Sequence, residues 1–174
     1  MFFMTTFNFD PAHSVVEFSV KHLMISNVKG KFKDFDVNLE GDINDLKSLK
    51  GTAVIKADSI DTNVADRDGH LRSGDFFDSE NYPDVKFEIT SVDEKSVTGN
   101  LTIKDVTEEE TFDASYEGSS KNPLNGATTA GFIVNGTINR EKYGMSFNQK
   151  LETGGVMVGK DVKFQASIEF ALED

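Results

Sequence analysis

The sequence contains few residues that could carry out acid–base or metal chemistry. Its three imidazoles are His13, His22 and His70, and it has no cysteine. A chain without cysteine cannot form a disulfide, a thiolate metal site or a cysteine nucleophile. A histidine metal site would need all three imidazoles to converge, yet His13 and His22 have opposite parity and would face opposite sides of a regular strand. We therefore expect no metal site, and hydrogen-bonded histidines at an end of the fold.

A mixed-charge group surrounds the third histidine. Arg67, Asp68, Arg72 and Asp75 all lie within five residues of His70. Asp68 could orient the imidazole of His70 as a base, but residues two apart on a helix do not face one another. No nucleophile elbow, phosphate-binding glycine loop or helical metal motif is present. Two interpretations stay open: a solvated helix with weak ion pairs, or a polar rim that orients a ligand head group.

The charge and length of the chain limit the classes of protein to which it can belong. Thirty acidic residues against 18 basic ones give a net charge of -12, so nucleic acid and anionic membrane surfaces should repel it. No segment approaches the roughly 18 apolar residues of a membrane span, and residues 1–6 lack the basic region of a secretory signal. We expect a cytoplasmic protein with no integral membrane segment, forming a single domain over residues 1–174.

The apolar residues favour β-structure. Phenylalanine and valine, 15 of each, outnumber 9 leucines, the reverse of what a helical bundle uses. Apolar and polar residues alternate at 16–20, 85–89, 97–103, 132–138 and 162–172, which predicts half-buried strands, and the last two runs are the clearest. The turn-forming segments between runs predict about eight antiparallel strands, in a sandwich or a barrel. The parity switches around Lys33-Asp34, where we expect a β-bulge.

One segment departs from the alternating pattern. Residues 61–74 predict a short helix near 63–73, with Asn63 as its N-cap and Ser73-Gly74 as its C-terminal stop. Two adjacent phenylalanines at 76 and 77 follow, and Tyr82-Pro83 marks an edge or a turn. We expect this segment to form a plug that packs on one end of the sheet.

Motifs between residues 10 and 144 form a recognisable set. They are Asp10-Pro11-Ala12-His13-Ser14, Lys21-His22, Gly30-Lys31-Phe32, Arg67 to Ser73 with Asp75-Phe76-Phe77-Asp78 and Tyr82-Pro83, Gly99 to Lys104 with Thr107, and Asn139-Arg140 before Tyr143-Gly144. Together with the long run at 162–172, this set resembles the YceI-like family of lipocalin-like, polyisoprenoid-binding proteins over essentially the whole chain. Asp105 departs from the family pattern, in which glycine commonly follows the Leu-Thr-Ile-Lys run.

The resemblance implies a fold and a function. The fold is all-β: an elongated antiparallel lipocalin-like β-barrel of about eight strands, with one short helix and a long apolar channel. The function is non-catalytic binding, storage or transport of a long-chain apolar ligand, such as a polyisoprenoid, an isoprenoid quinone or a fatty amphiphile. The resemblance implies no established reaction, and members of the family are often homodimers. We expect neither a cofactor nor a metal.

The predicted ligand-binding residues combine inward strand positions with polar groups of the plug. A barrel of this size is either filled by side chains or holds one ligand, and the resemblance rather than the periodicity favours the ligand. Two alternatives stay open: an enzyme acting on an isoprenoid or quinone-like substrate through histidine acid–base chemistry, and a packed structural barrel without a ligand. The predicted set is Phe18, Val20, His22, Phe32, Arg67, His70, Phe76, Phe87, Leu101, Phe132, Val134, Arg140, Phe164 and Ile168.

Overall fold

A computed structural model describes residues 4–149, 151–152 and 155–173; the predicted absence of a signal therefore rests partly on residues 1–3, outside the described part. One α-helix, α1, spans Ala65–Arg72, and short 3₁₀ helices span Pro11–His13, Ala57–Ser59 and Arg140–Tyr143. The strands are β1 Thr6–Phe9, β2 Val15–His22, β3 Ser26–Phe32, β4 Phe35–Asp42, β5 Asp45–Lys56, β6 Ile60–Asp61, β7 Asp84–Val92, β8 Ser96–Ile103, β9 Val106–Lys121, β10 Thr128–Asn139 and β11 Val158–Glu173.

Period-two alternation forms the strands as expected, and β8 shows the reason. Its residues alternate between buried and half-buried along its whole length, because successive side chains of a strand point to opposite faces. The buried face carries Val97, Leu101 and Ile103. On the other face Thr98 and Thr102 form cross-strand hydroxyl hydrogen bonds of 2.8 and 2.7 Å with threonines of β9. One side of the sheet is therefore apolar and the other polar.

The strands form one antiparallel sheet that curls into a half-barrel. The strand order is β4-β5-β7-β8-β9-β10-β11-β2-β3-β6, and β1 also pairs with β11. β11 pairs with β2 through residues 158–167 and with β1 through residues 170–173. The residue before β1 contacts β4, since the Thr5 amide donates to the Gly41 carbonyl at 2.7 Å. The predicted fold class is confirmed, with eleven strands in the described part of the chain rather than about eight.

The parity switch at Lys33-Asp34 marks a corner and not a β-bulge. β3 ends at Phe32 and pairs with β2, whereas β4 begins at Phe35 and pairs with β5. The amide of Lys33 donates to the Ser59 carbonyl at 3.2 Å, and the Asp34 carbonyl accepts from the Lys56 amide at 2.9 Å. The bulge prediction was wrong because the chain crosses here from one edge of the curled sheet, near β3, to the opposite edge at β4.

The predicted helix is present, but it does not begin with the predicted cap. The N-cap residue is Val64, and Asn63 instead adopts a left-handed φ of 66°. A residue within the helix fixes the segment that precedes it. Asp68 Oδ1 accepts from the Thr62 amide at 2.8 Å and from the Thr62 hydroxyl at 2.5 Å. At the other end, Ser73 is the C-cap as predicted.

The interior divides into two packed regions. Around β1 and the end of β11, Phe7 and Phe132 both pack against the Phe170 ring, with centroid distances of 5.5 and 6.0 Å, beside the buried Leu49. We call this region the closed end. The other region surrounds α1 and the fully buried Tyr143. Among the described residues, no helix is both long and apolar enough to cross a membrane.

Candidate functional site

A cavity of about 380 Å³ lies inside the curled sheet. Every strand from β2 to β11 contributes to its wall, together with α1 and the segments that follow α1 and β10. The wall is almost wholly apolar, because the inward positions of the strands carry Val, Ile, Leu and Phe. The volume falls within the range of roughly 300–1,000 Å³ that is typical of small-molecule sites.

The predicted ligand-binding residues fall on this wall with one exception. Phe18, Val20, His22, Phe32, Arg67, His70, Phe76, Phe87, Leu101, Val134, Arg140, Phe164 and Ile168 all border the cavity. Phe132 does not border the cavity, and its role in ligand binding stays a prediction. Its ring packs at the closed end, 5.1 Å from that of Tyr116 and 6.0 Å from that of Phe170. The parity of Phe132 indicates the correct face of the sheet but not the depth along the barrel.

Several cavity residues were missed by the sequence reasoning. Met145, Phe147 and Met157 border the cavity from the segment between β10 and β11, which has no strand periodicity. Phe112 borders it from β9, where it is the apolar member of a polar run. Its signal was available, since the strand alternates around it.

The polar wall groups lie at the end where β2 and β10 finish and β3 and β11 begin. We call this end the mouth; it is bordered by His22, His70, Arg140 and Val158. The His70 side chain borders the cavity and is also 42% exposed, so this part of the cavity wall also faces solvent. The closed end and the mouth therefore give the cavity one apolar and one polar extremity.

Arg140 is a buried cation in the mouth. It is 3% exposed, and its guanidinium donates to the carbonyls of Gly159 (2.8 Å), Met145 (2.5 Å) and Val158 (3.2 Å). Within the described part of the chain, no carboxylate lies within 4 Å of it, and two of its five N–H groups have no protein acceptor. Burial lowers the pKa of Arg140, yet an arginine stays protonated at any ordinary pH.

Arg67 lies beside the cavity at the start of α1. Its Nε donates to the Thr62 hydroxyl and its Nη2 to the Thr62 carbonyl, both at 2.8 Å. The same hydroxyl contacts Asp68, which is 7% exposed. Arg67, Thr62 and Asp68 thus form a hydrogen-bonded unit that fixes the helix against the barrel and presents a second guanidinium to the cavity.

The histidines do not converge. His70 Nε2 lies 2.9 Å from Asp75 Oδ2, and its ring packs edge-on against Phe76 and Phe147 with centroid distances of 5.1 and 4.8 Å. Asp68 and His70 form no dyad, as their helical spacing predicts. His13 lies in the 3₁₀ helix before β2, 2.7 Å from Asp10 Oδ2, and this hydrogen bond raises the pKa of His13.

Comparison with known proteins places this geometry in a family. The family model for the YceI-like domain matches residues 7–170. The chain belongs to the YceI-like family. A UPF0312 protein of Staphylococcus epidermidis is 60% identical over 171 residues, which cover 98% of this chain and 100% of the relative. A UPF0312 protein of Staphylococcus aureus is 58% identical with the same coverage.

Solved structures show the same fold as this YceI-like chain. The YceI protein of Campylobacter jejuni is 32% identical with a TM-score of 0.74, covering 88% of this chain and 90% of that one. BcnA of Burkholderia cenocepacia is 22% identical with a TM-score of 0.79, covering 93% and 99%. A polyisoprenoid binding domain from Saccharophagus degradans, implicated in plant cell wall breakdown, is 13% identical with a TM-score of 0.66, covering 96% and 98%. The last two likenesses concern the fold alone.

Proposed function

We propose that this YceI-like protein binds a long-chain apolar ligand, such as a polyisoprenoid, an isoprenoid quinone or a fatty amphiphile, and stores or carries it without a catalytic step. The observation that carries the proposal is the cavity, which has an apolar wall, adjoins the packed closed end through Val16 and Ile168, and has a polar mouth. The structural likeness to the polyisoprenoid binding domain from Saccharophagus degradans supports the same ligand class.

The ligand chain would lie against the apolar wall with its polar head at the mouth. Each methylene removed from water contributes about 0.8 kcal/mol, which must offset the ordering of a flexible chain. Two N–H groups of Arg140 have no acceptor among the residues that the structure describes, and they offer a charged donor to a carbonyl, carboxylate or phosphate oxygen of the head. Chain length therefore sets affinity, and the mouth sets the choice of head group.

Native mass spectrometry of freshly purified protein, followed by organic extraction, tests for a retained ligand. A ladder of ligands with one head and increasing chain length then tests the mechanism by fluorescence displacement. We expect Kd to fall by up to about fourfold per methylene until the cavity is full. Affinity independent of chain length, with no extractable lipid from the wild type, would contradict the proposal and favour a packed barrel.

Matched variants separate the wall from the mouth. Ala166→Leu narrows the cavity and should shorten the longest chain that still improves affinity, whereas Gln165→Leu, on the neighbouring outward position, should not. Arg67→Ala and Arg140→Lys should change the preferred head group and leave the chain-length slope unchanged. Unchanged head-group preference in both arginine variants would assign these residues to structure alone.

One observation favours an enzyme as the second candidate. The imidazole of His70 borders the cavity and is paired with the Asp75 carboxylate at 2.9 Å, an arrangement that can hold a base in one orientation. Turnover of an isoprenoid or quinone-like substrate that disappears in His70→Gln would support it. Ligand binding by His70→Gln without any turnover in the wild type would reject it.

The homodimer and the cytoplasmic location stay predictions. Light scattering tests the first and cell fractionation the second.

A further inference from the structure

The turn between β2 and β3 is built from exposed apolar residues. Leu23, Met24 and Ile25 are 37%, 56% and 81% exposed. The Ile25 amide donates to the His22 carbonyl at 3.2 Å and closes a tight hairpin turn. Leu23 and Met24, its two central residues, have φ values of 53° and 65°. Turns of this geometry favour Asn-Gly, so bulky side chains here oppose the local backbone preference and point to a role outside the fold.

The same hairpin is locally basic in an acidic chain. Residues 18–33 contain four lysines and no Asp or Glu, whereas the whole chain carries a net charge of -12. Lys33 pairs with Asp61 at 3.8 Å. Lys21 and Lys29 are exposed and, among the residues that the structure describes, neither has a carboxylate within 4 Å. Their charge is therefore available at the surface.

The neighbouring strand extends this basic surface. Ser19 pairs with Lys29 on β3 and with Lys163 on β11, so the two lysines lie on one face of the sheet about 10 Å apart. Lys21 follows on the same strand face, toward the turn, where it borders a surface pocket together with Lys160 and the carboxylates of Glu141 and Asp161. Glu17 is the next residue of that face in the other direction, opposite Lys31, and is therefore further from the turn.

The turn rises from the rim of the cavity. The Leu23 amide donates to the Met157 carbonyl at 2.8 Å, and both Met157 and the preceding His22 border the cavity. An apolar tip flanked by lysines is the pattern of a segment that lies in a lipid interface, where apolar side chains enter the acyl boundary and lysines contact anionic head groups.

We propose that the β2–β3 turn docks the protein on an anionic lipid surface, with Leu23, Met24 and Ile25 entering the interface and Lys21, Lys29 and Lys163 contacting lipid phosphates. Charge complementarity favours an anionic lipid surface as the partner. Anionic lipids attract the lysines of the hairpin and repel the acidic remainder of the molecule, so the hairpin would face the bilayer. The docking needs no ligand in the cavity and stands apart from the proposed function. It brings the mouth to the surface from which an apolar molecule would enter.

Vesicle co-sedimentation at low salt tests the docking without any cavity ligand. The probes are vesicles of phosphatidylcholine alone and vesicles with roughly one third phosphatidylglycerol. We expect the wild type to bind the second and to be released by salt, because exposed charges are screened within about 8 Å at physiological ionic strength. Lys29→Gln should weaken binding roughly fivefold, the effect of one lysine near an anionic surface.

The double variant Leu23→Asn with Met24→Gly gives a sharper test. It installs the preferred turn residues, which should offset the loss of the Met24 side chain that lies against Gly155, so the protein should stay folded while vesicle binding is lost. Leu124→Asn and Lys50→Gln are the controls: Leu124 is 94% exposed in the turn between β9 and β10, at the other end of the sheet, and Lys50 is exposed on β5. Both should bind vesicles like the wild type.

Three outcomes would overturn the proposal. They are a wild type that does not bind the anionic vesicles, a double variant that binds them as well as the wild type, and equal binding to both vesicle types. A double variant that turns a dimer into a monomer, with no vesicle binding by the wild type, would assign the turn to a second copy of the chain instead.

Discussion

Replacing Arg140 with alanine should markedly lower the denaturant concentration at which the protein unfolds. The guanidinium is 3% exposed and donates three hydrogen bonds to carbonyls. The carbonyls of Gly159 and Met145 would lose this donor, whereas the Val158 carbonyl would keep the Asn148 side-chain amide as a donor at 2.7 Å. Each hydrogen bond from a charged donor contributes about 1.5–3 kcal/mol to stability. Part of the loss of the three bonds is offset, because the variant no longer has to remove a cation from water when it folds. We expect a net loss of about 3–5 kcal/mol of unfolding free energy.

Urea unfolding followed by far-ultraviolet circular dichroism measures this loss. With a slope of about 2 kcal/mol per molar urea, the midpoint should fall by roughly 1.5–2.5 M. Arg140→Lys keeps the charge but cannot reach all three carbonyls, so it should lie between the wild type and Arg140→Ala. Arg72→Ala is the control, since Arg72 is exposed and its Nε donates to the Asp58 carbonyl at 3.0 Å.

The reasoning would be refuted if Arg140→Ala lost less than about 1 kcal/mol, the level expected of Arg72→Ala. That result would mean that water satisfies the carbonyls of Gly159 and Met145 once the guanidinium is gone, while Asn148 continues to donate to Val158. Arg140 would then serve the mouth alone and have no part in joining the end of β10 to the start of β11.

Three further predictions concern other buried or paired groups. Tyr143→Phe removes the hydroxyl that donates to Glu110 and should cost about 1.5–3 kcal/mol of unfolding free energy in urea. Burial and that hydrogen bond raise the pKa of Tyr143, so the native protein keeps a proton that the unfolded chain loses, and wild-type stability should fall as pH rises above about 10. The hydrogen bond to Asp10 raises the pKa of His13, so its contribution should be complete below about pH 6.5 and disappear as pH rises through the native value, a step that His13→Gln should lack. Thr62→Val removes one donor to a buried carboxylate and should cost about 1–3 kcal/mol.

Each of these predictions has a contradicting result. A Tyr143→Phe protein with the wild-type urea midpoint would mean that the hydroxyl contributes nothing net. If NMR titration gave His13 the pKa of a free imidazole, the hydrogen bond between His13 and Asp10 would not form in solution. A Thr62→Val protein as stable as wild type would show that the remaining donors satisfy the carboxylate.

The strands and the helix were predictable because their signals are local. Alternation between Val162 and Leu172 shows that β11 has one buried face, whatever that strand pairs with. The strands β1 and β6 were not predicted because, at four and two residues, they are too short to show a clear alternation. Each forms by pairing with a strand that is distant in the sequence. The corner at Lys33-Asp34 altered the parity as a bulge would, and the sequence alone does not distinguish the two causes.

The candidate site was predictable in its face but not in its depth. Phe132 and Phe164 have the same inward parity on β10 and β11, yet only Phe164 borders the cavity. Position along the barrel depends on register, including the shift between Gly131 and Phe132 in the pairing with β9. Phe147 and Met145 border the cavity from an irregular segment, where no periodicity could indicate them.

The pairing of β11 with both β1 and β2 has a consequence for folding. The first two strands find their shared partner only in the last described strand, so these contacts have nearly the largest sequence separation that the chain allows. Loops of that length close slowly, and during synthesis the edge of β2 stays unpaired until β11 has emerged. An exposed strand edge can pair with another chain, so this nascent protein should be vulnerable to aggregation. A circular permutant that begins at β11 would bring β11 close to β1 and β2 in the sequence but would separate it from β10, with which it pairs over residues 128–139. Because one long-range pairing replaces another, the permutant should refold no faster than the natural order.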